Sequence, residues 1–168
     1  MINDKHSLKN QPFRIGFGED IHRLVPSREL WLGGVHIPFD LGLDGHSDAD
    51  VLIHAIMDAM LGALAFDDIG ALFPNTDPQY KGISSLKLLR VVQYKVEESG
   101  YRIGNIDSLI ICEKPKISPF RIQIKNTLAE ALGLEINQIS VKAGTNEELD
   151  SIGRGEAIAA RAVVMLIQ

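Results

Sequence analysis

The chain has 168 residues, enough for one domain that closes a sizeable hydrophobic core. Its 17 basic and 22 acidic side chains leave a net charge of -5, without the basic excess that a nucleic-acid backbone or an anionic membrane surface requires. The single cysteine, Cys112, excludes an intrachain disulfide and any multi-cysteine zinc site, and it suits a reducing, cytoplasmic setting.

Residues 1–12 are polar, lack the apolar segment of a signal peptide and read as a flexible tail ahead of a single domain, 13–168. No stretch approaches the ~18 consecutive apolar residues of a membrane span. Phe13 to Gly18 alternates like a strand that ends at Glu19 and Asp20, with glycines that let another group approach the backbone closely. Asp20-Ile21-His22 then puts a carboxylate and an imidazole on one side of an extended chain. Arg23 to Arg28 reads as a loop, and Leu30–Leu32 and Val35–Ile37 as a hairpin around Gly33-Gly34. Pro38 to Gly45 holds turn signals.

Ser47 is expected to cap the next helix, with Asp50 reaching back to it, so that the helix runs from about Asp50 to Leu64. Asp50, His54 and Asp58 then share one face, and His46 stands at a helix N-terminus, where amides favour an anion. Phe66 to Gly82 mixes apolar anchors with carboxylates and reads as a long ordered loop. A second, structural helix spans about Ser84 to Ser99, with Gly100 as its stop. Ile103 to Cys112 is a strand broken by Lys114-Pro115-Lys116, where a ligand-facing loop can sit. Pro119 opens a third helix that ends at Leu132, and Ile139–Ala143 is a short strand before the polar turn Gly144 to Glu148. Glu156 to Gln168 balances helix-favouring alanines against the run Val163–Ile167, and strand is the reading taken. This order predicts an α+β fold: a four-stranded sheet with helices on one face plus an extra hairpin.

An Asp-x-His pair alone is more often solvated than functional. Joined by His54, however, Asp20 and His22 supply the two-imidazole, one-carboxylate set that leaves a tetrahedral Zn²⁺ an open position. Asp58 then either orients an imidazole or is a plain helix-surface carboxylate. Glu147 could hold a second, harder ion such as Mg²⁺, or it is a solvated turn residue.

Four ordered motifs sharpen this. Gly16-Phe17-Gly18-Glu19-Asp20-Ile21-His22, His46-Ser47-Asp48-Ala49-Asp50 with His54, Asp68 through Pro78, and Gly153-Arg154-Gly155-Glu156 closely resemble the 2-C-methyl-D-erythritol 2,4-cyclodiphosphate synthase family of the non-mevalonate isoprenoid pathway, collinear from about Phe13 to Ile167. The resemblance implies a homotrimer around a three-fold axis with active sites at subunit interfaces. The substrate it implies is 4-diphosphocytidyl-2-C-methyl-D-erythritol 2-phosphate, cyclised with release of CMP.

Position by position, it implies Asp20, His22 and His54 as zinc ligands (or ligands of another divalent cation), and Glu147 beside a second ion, Mg²⁺ or Mn²⁺. His46 and Thr145 match the residues that position and polarise the phosphates, and Ser47 a companion donor. Ile21 adjoins the ligands. Asp68, Ile69, Gly70, Phe73, Pro74, Asn75, Thr76 and Asp77 match the loop over the methylerythritol. Cys112, Glu113, Lys114, Pro115, Lys116, Ile117 and Ser118 match the cytidine pocket, supplied by a neighbouring subunit. Gly144, Asn146 and Ser151 flank the phosphates, Arg154 matches a phosphate-side or axial cation, and Glu156 a residue near the trimer axis. Where the family commonly shows Thr-Thr-Glu-Lys-Leu-Gly-Phe, this chain has Thr145-Asn146-Glu147-Glu148-Leu149-Asp150-Ser151, a more acidic loop without the aromatic. A metal-dependent phosphohydrolase with a metal-bound water as nucleophile, and a trimeric small-molecule carrier, are the rival readings.

Overall fold

A computed structural model describes residues 12–168, so the expected tail lies outside the described residues except for Pro12. The architecture grows from β1 (Phe13–Pro26) and α1 (Val51–Ala63). Along β1 the even-numbered residues face α1 and the odd-numbered ones face away, as the period of a strand dictates. Gly16 and Gly18 lie on the helix side, where a Cβ at either would overlap the carbonyl oxygens of Ala59 and Ala55. The close approach expected at these glycines is therefore that of a helix. Eleven of the thirteen α1 residues are buried, the pattern of a helix sunk in the core, and truncating one of its large apolar side chains would cost about 2–5 kcal/mol.

β1 is the longest strand of a mixed five-stranded sheet in the order β4 (Leu41–Leu43), β1, β7 (Ala157–Ile167), β5 (Arg102–Ile111), β6 (Ile139–Gly144), with β7 at its centre. It pairs antiparallel with β7 (Ala157–Ile167) over its first eleven residues, then with β4 (Leu41–Leu43) at Leu24–Pro26. β5 (Arg102–Ile111) joins β7 antiparallel and β6 (Ile139–Gly144) parallel, and the expected hairpin forms from β2 (Leu30–Leu32) and β3 (Val35–Ile37). The four-stranded expectation is thus one strand short. Residues 23–26, read as loop, continue β1, and Leu41-Gly42-Leu43 caps its end as a strand too short to show a period. The C-terminal segment is a strand.

α3 (Ser85–Glu98) and α4 (Arg121–Leu132), with Gly133 in the left-handed conformation as its stop, complete the main core on the α1 side. On the opposite face the short α5 (Asp150–Gly153) makes a small cluster through Ile152 with Ile111, Ala157 and Ala159, against which Leu109 packs. The rest of that face is open and largely apolar. Phe13, Ile15, Phe17 and Ile21 are 51% to 62% exposed, and the ion pair of Arg161 with Glu19, 3.1 Å, sits among them. Among the described residues no helix is long and apolar enough to cross a membrane.

Candidate active site

The β1–α1 contact marches along both elements in opposite directions, Gly16 at Ala59 and Gly18 at Ala55. Two strand residues advance about 6.6 Å and four helical residues about 6 Å, nearly the same length, so the next step sets Asp20 and His22 at the first turn of α1, where His54 stands. Nδ1 of His54 lies 2.9 Å from Oδ2 of Asp20, Nε2 of His22 lies 3.1 Å from the same oxygen, and the two ring nitrogens are 3.4 Å apart. Donors at zinc-ligand distances on the corners of a tetrahedron would be about 3.4 Å apart. The donor set fits a divalent cation in both chemistry and spacing.

Electrostatics agree. Burial pushes the Asp20 carboxyl up, but hydrogen bonds from His22 and His54 and their charge outweigh it, and the group sits well below the usual carboxylate range. Burial likewise pushes His22 down, yet the Asp20 carboxylate prevails and raises it above its ordinary value. The three side chains open on a cavity of about 620 Å³.

The helix start differs from expectation. Asp50, not Ser47, is the N-cap: its Oδ1 accepts the Ile53 N–H at 3.1 Å and the Gly33 N–H at 2.9 Å, and its Oδ2 the Gly34 N–H at 2.7 Å. Asp50 is therefore a fully buried anchor for the hairpin rather than a member of the His54 face. His46 lies in the turn before the cap, not at the helix N-terminus, and its Nε2 is 3.2 Å from the Asp77 carbonyl oxygen. Arg28 holds that turn by donating to the carbonyls of Gly45 and Ser47 at 2.8 and 2.7 Å. Ser47 Oγ instead lies 3.3 Å from Nε2 of His54.

Asp58 turns from the imidazoles and accepts the Ile69 N–H at 2.8 Å. It thereby ties down α2 (Ile69–Leu72), a turn within the long loop that Asp68 caps by accepting the Ala71 N–H at 2.9 Å. Asp77 caps a 3-10 turn, Pro78–Tyr80, in the same way, and Tyr80 meets Phe73 edge to face at 5.4 Å. Ile69, Gly70 and Phe73 to Thr76 thus line the cavity with His46 and Ser47, while Asp68 and Asp77 shape the loop. Ile21 points to the open sheet face, away from the ligands it separates.

The remaining expected site residues gather elsewhere, at the carboxyl ends of β5 and β6, where the Cys112 N–H reaches the Gly144 carbonyl at 3.0 Å. Oε1 of Glu113 accepts the N–H groups of Asn146 and Glu148 at 2.9 and 3.3 Å. Thr145 Oγ1 donates to Glu147 at 3.0 Å, and the Asn146 amide donates to Asp150 at 2.8 Å. Glu147, Glu148 and Asp150 all have positive φ, 51°, 60° and 57°. Arg154 pairs with Glu156 at 2.8 Å, while Lys114, Lys116 and Ser118 are exposed, Pro115 half-buried and Ile117 buried; Ser151 begins the second residue of α5. Cys112 is buried, with its thiol pushed up to about 11 first by burial and then by Glu113, which leaves it inert as a nucleophile. Glu113, Lys114, Glu148 and Arg154 line a second cavity of about 620 Å³, which shares no residue with the metal cavity.

Sequence reasoning passed over Arg28, Asp48 and Ser85. Ser85 Oγ lies 3.1 Å from Nε2 of His54 and donates to Oδ1 of Asp48 at 2.5 Å. A serine at a helix start looks like a cap, so no local signal betrayed it.

The YgbB family model matches residues 13–167. A 2-C-methyl-D-erythritol 2,4-cyclodiphosphate synthase of Nostoc sp. (strain PCC 7120) is 60% identical over 154 residues, covering 92% of this chain and 93% of the relative. The bifunctional IspDF of Campylobacter jejuni superposes with a TM-score of 0.89 at 40% identity, over 92% of this chain and 42% of that longer one. IspF of Plasmodium falciparum, solved as a CDP complex, gives 0.82 at 39% identity, over 92% and 96% of the two chains.

Proposed function

From the premise that this chain belongs to the YgbB family of 2-C-methyl-D-erythritol 2,4-cyclodiphosphate synthases, we propose that it converts 4-diphosphocytidyl-2-C-methyl-D-erythritol 2-phosphate into the 2,4-cyclodiphosphate and CMP. It would act as a phosphorus–oxygen lyase of non-mevalonate isoprenoid synthesis in the cytoplasm. The observation that carries the reading is the convergence of Asp20, His22 and His54 on one tetrahedral position beside a cavity closed by an ordered loop. In the reaction an oxygen of the 2-phosphate bonds to the β-phosphorus, the bond from that phosphorus to the bridging oxygen breaks, and the electron pair leaves with CMP.

The nucleophile is already an anion, so the residues must fold the substrate and offset charge more than abstract a proton. A divalent cation on the three ligands, Zn²⁺ in this reading, would neutralise charge on the β-phosphate; a second, Mg²⁺ or Mn²⁺, would do so beside Glu147. His46, steadied through Arg28's grip on its turn, and Ser47 offer donors on the metal side. Ile69, Gly70 and the Phe73–Thr76 stretch cover the methylerythritol and exclude water, which favours cyclisation over hydrolysis. Thr145, with Gly144, Asn146 and Glu147, would position the diphosphate, and residues 112–118 the cytosine.

Of these latter groups, Glu113 and Lys114 line a cavity that shares no residue with the one beside His54, which supports a site shared between subunits. The open apolar face of β1 supports a homotrimer in which three sheets meet around an axis. Incubation with the cytidyl substrate and a divalent cation should yield equimolar CMP and a cyclic diphosphate by ³¹P NMR. Free inorganic phosphate or an open-chain diphosphate would favour the phosphohydrolase, and binding without any CMP would favour the carrier.

A further inference from the structure

We propose that Asp48 and Ser85 form a positioning pair that accepts the Nε2 proton of His54 when its Nδ1 binds a cation, and so sets the metal affinity of the centre. The proposal rests on reading Asp20, His22 and His54 as that centre.

Proton bookkeeping around one hydroxyl carries it. Ser85 is fully buried at the first residue of α3, and among the described residues its Oγ has two hydrogen-bond partners, Nε2 of His54 at 3.1 Å and Oδ1 of Asp48 at 2.5 Å. Oδ2 of Asp48 accepts the Ser85 N–H at 2.8 Å, and Oδ1 also accepts the Asp50 N–H at 3.3 Å. Asp48 is thus clamped to the residue it orients. A hydroxyl has one proton and a carboxylate has none to give, so the Ser85 proton goes to Asp48, the charged acceptor at the shorter distance. The Ser85 lone pair is then left facing Nε2.

A ring N–H at that nitrogen is satisfied there, and a ring lone pair is opposed. Ser47 Oγ, 3.3 Å from the same nitrogen, already accepts the Ala49 N–H at 3.1 Å, but its own proton can turn either way, so it does not decide the tautomer. On the other side of the ring the Asp20 carboxylate, 2.9 Å from Nδ1, pulls for a proton on that nitrogen while no cation is present. A neutral imidazole holding a cation through Nδ1 must carry its proton on Nε2. The Asp48–Ser85 pair is the acceptor built for that form, and it ties the metal centre to the start of a second helix.

Asp48→Asn tests the pair with minimal change of shape. The amide oxygen keeps the Ser85 N–H, and the amide nitrogen then donates to Ser85 Oγ and turns the hydroxyl proton toward Nε2. Exchange of an orienting carboxylate for its amide can preserve geometry while opposing the working tautomer. The zinc dissociation constant, measured by competition with a chromophoric chelator, should rise by about 10- to 100-fold. The thermal unfolding temperature of the metal-free variant should fall only slightly, because the amide nitrogen gives up the long Asp50 N–H contact of 3.3 Å.

Ser85→Ala should weaken zinc binding less, and Asp48→Asn should add nothing in the Ser85→Ala background, because Asp48 acts through that hydroxyl. In the zinc-loaded parent labelled with ¹⁵N-histidine, the His54 Nε2 proton should resist exchange with solvent, and in Asp48→Asn it should exchange rapidly. Equal zinc affinities in the parent and Asp48→Asn, or additive effects in the double variant, would overturn the proposal while leaving the metal centre standing. Failure of the parent to bind zinc or another divalent cation would instead overturn the metal centre, and the proposal with it.

Discussion

The two surfaces that carry the expected site residues are built by opposite means. Around Asp20, His22 and His54 the side chains sit on the longest strand and a core helix, and their positions follow from the packing of Gly16 and Gly18 on α1. At the ends of β5 and β6 the corresponding residues ride on an exposed loop with three non-glycine residues in the left-handed conformation, each a strain of about 1–3 kcal/mol. One acid, Glu113, holds that loop by two backbone N–H groups. The difference teaches that the geometry of the Asp20–His22–His54 cluster is a property of the single chain's core, whereas the geometry of the 145–151 loop hangs on a few local contacts.

The strongest way to break this comparison is Asp20→Asn. The amide has nearly the shape of the acid but lacks its charge, so bound metal and CMP formation should fall together, turnover by ~10³-fold. Retention of either, by elemental analysis or by CMP assay, would mean that the rigid surface is not the metal centre. Glu113→Ala should spare metal content and lower kcat/KM by about 10- to 100-fold, since hydrogen bonds to a charged acceptor are worth about 1.5–3 kcal/mol. Glu113→Gln keeps an acceptor and should recover most of the loss. Metal loss in Glu113→Ala would show that the surfaces are not independent.

The gentlest effect is one of pH. In the metal-free protein, His22 is raised above 6.5, so its interaction with Asp20 stabilises the fold fully below that pH and is lost as pH rises through the raised value. Asp20, depressed below 3.8, gives stability present above 3.8 that is lost as pH falls through its folded value. Metal affinity should run the other way near neutrality, rising with pH as the His22 proton is removed. Thermal unfolding and zinc titration between pH 6 and 8 should therefore show opposite slopes, a divergence confined to the rigid surface.

Much of that surface was legible in the sequence because strand alternation and helical register act locally. Asp20 and His22 share a face by period alone, and His54 follows from a single helix. What escaped depends on partners distant in the chain. Asp50 resembled the far partner of a capping box begun by Ser47, yet its carboxylate serves the Gly33 and Gly34 amides of a hairpin that no local pattern links to it. Asp58 looked like a companion of His54, but the backbone of Ile69 claims it. β4 is three residues long, too few for a period, and Pro26 masked the extension of β1 that β4 pairs with. Of the loop surface, local pattern offered only the break at Lys114-Pro115-Lys116 and Glu147 as a candidate ion holder, and family resemblance the rest, since Glu113's hold on residues 146 and 148 leaves no trace in spacing.

One consequence of the buried helix α1 concerns how the protein would age under mutation. The helix that fills the core also carries His54, so folding and metal capture draw on the same packing. A cation that binds only the folded chain adds stability in proportion to the logarithm of its concentration over its dissociation constant. Conversely, a core substitution about two turns from His54, such as one at Leu61, would shift the helix against the strand and reach Asp20, His22 and His54 through their spacing. Occupancy of a cation at those three residues would therefore gauge core integrity, and scarcity of metal would expose defects in packing that abundance conceals.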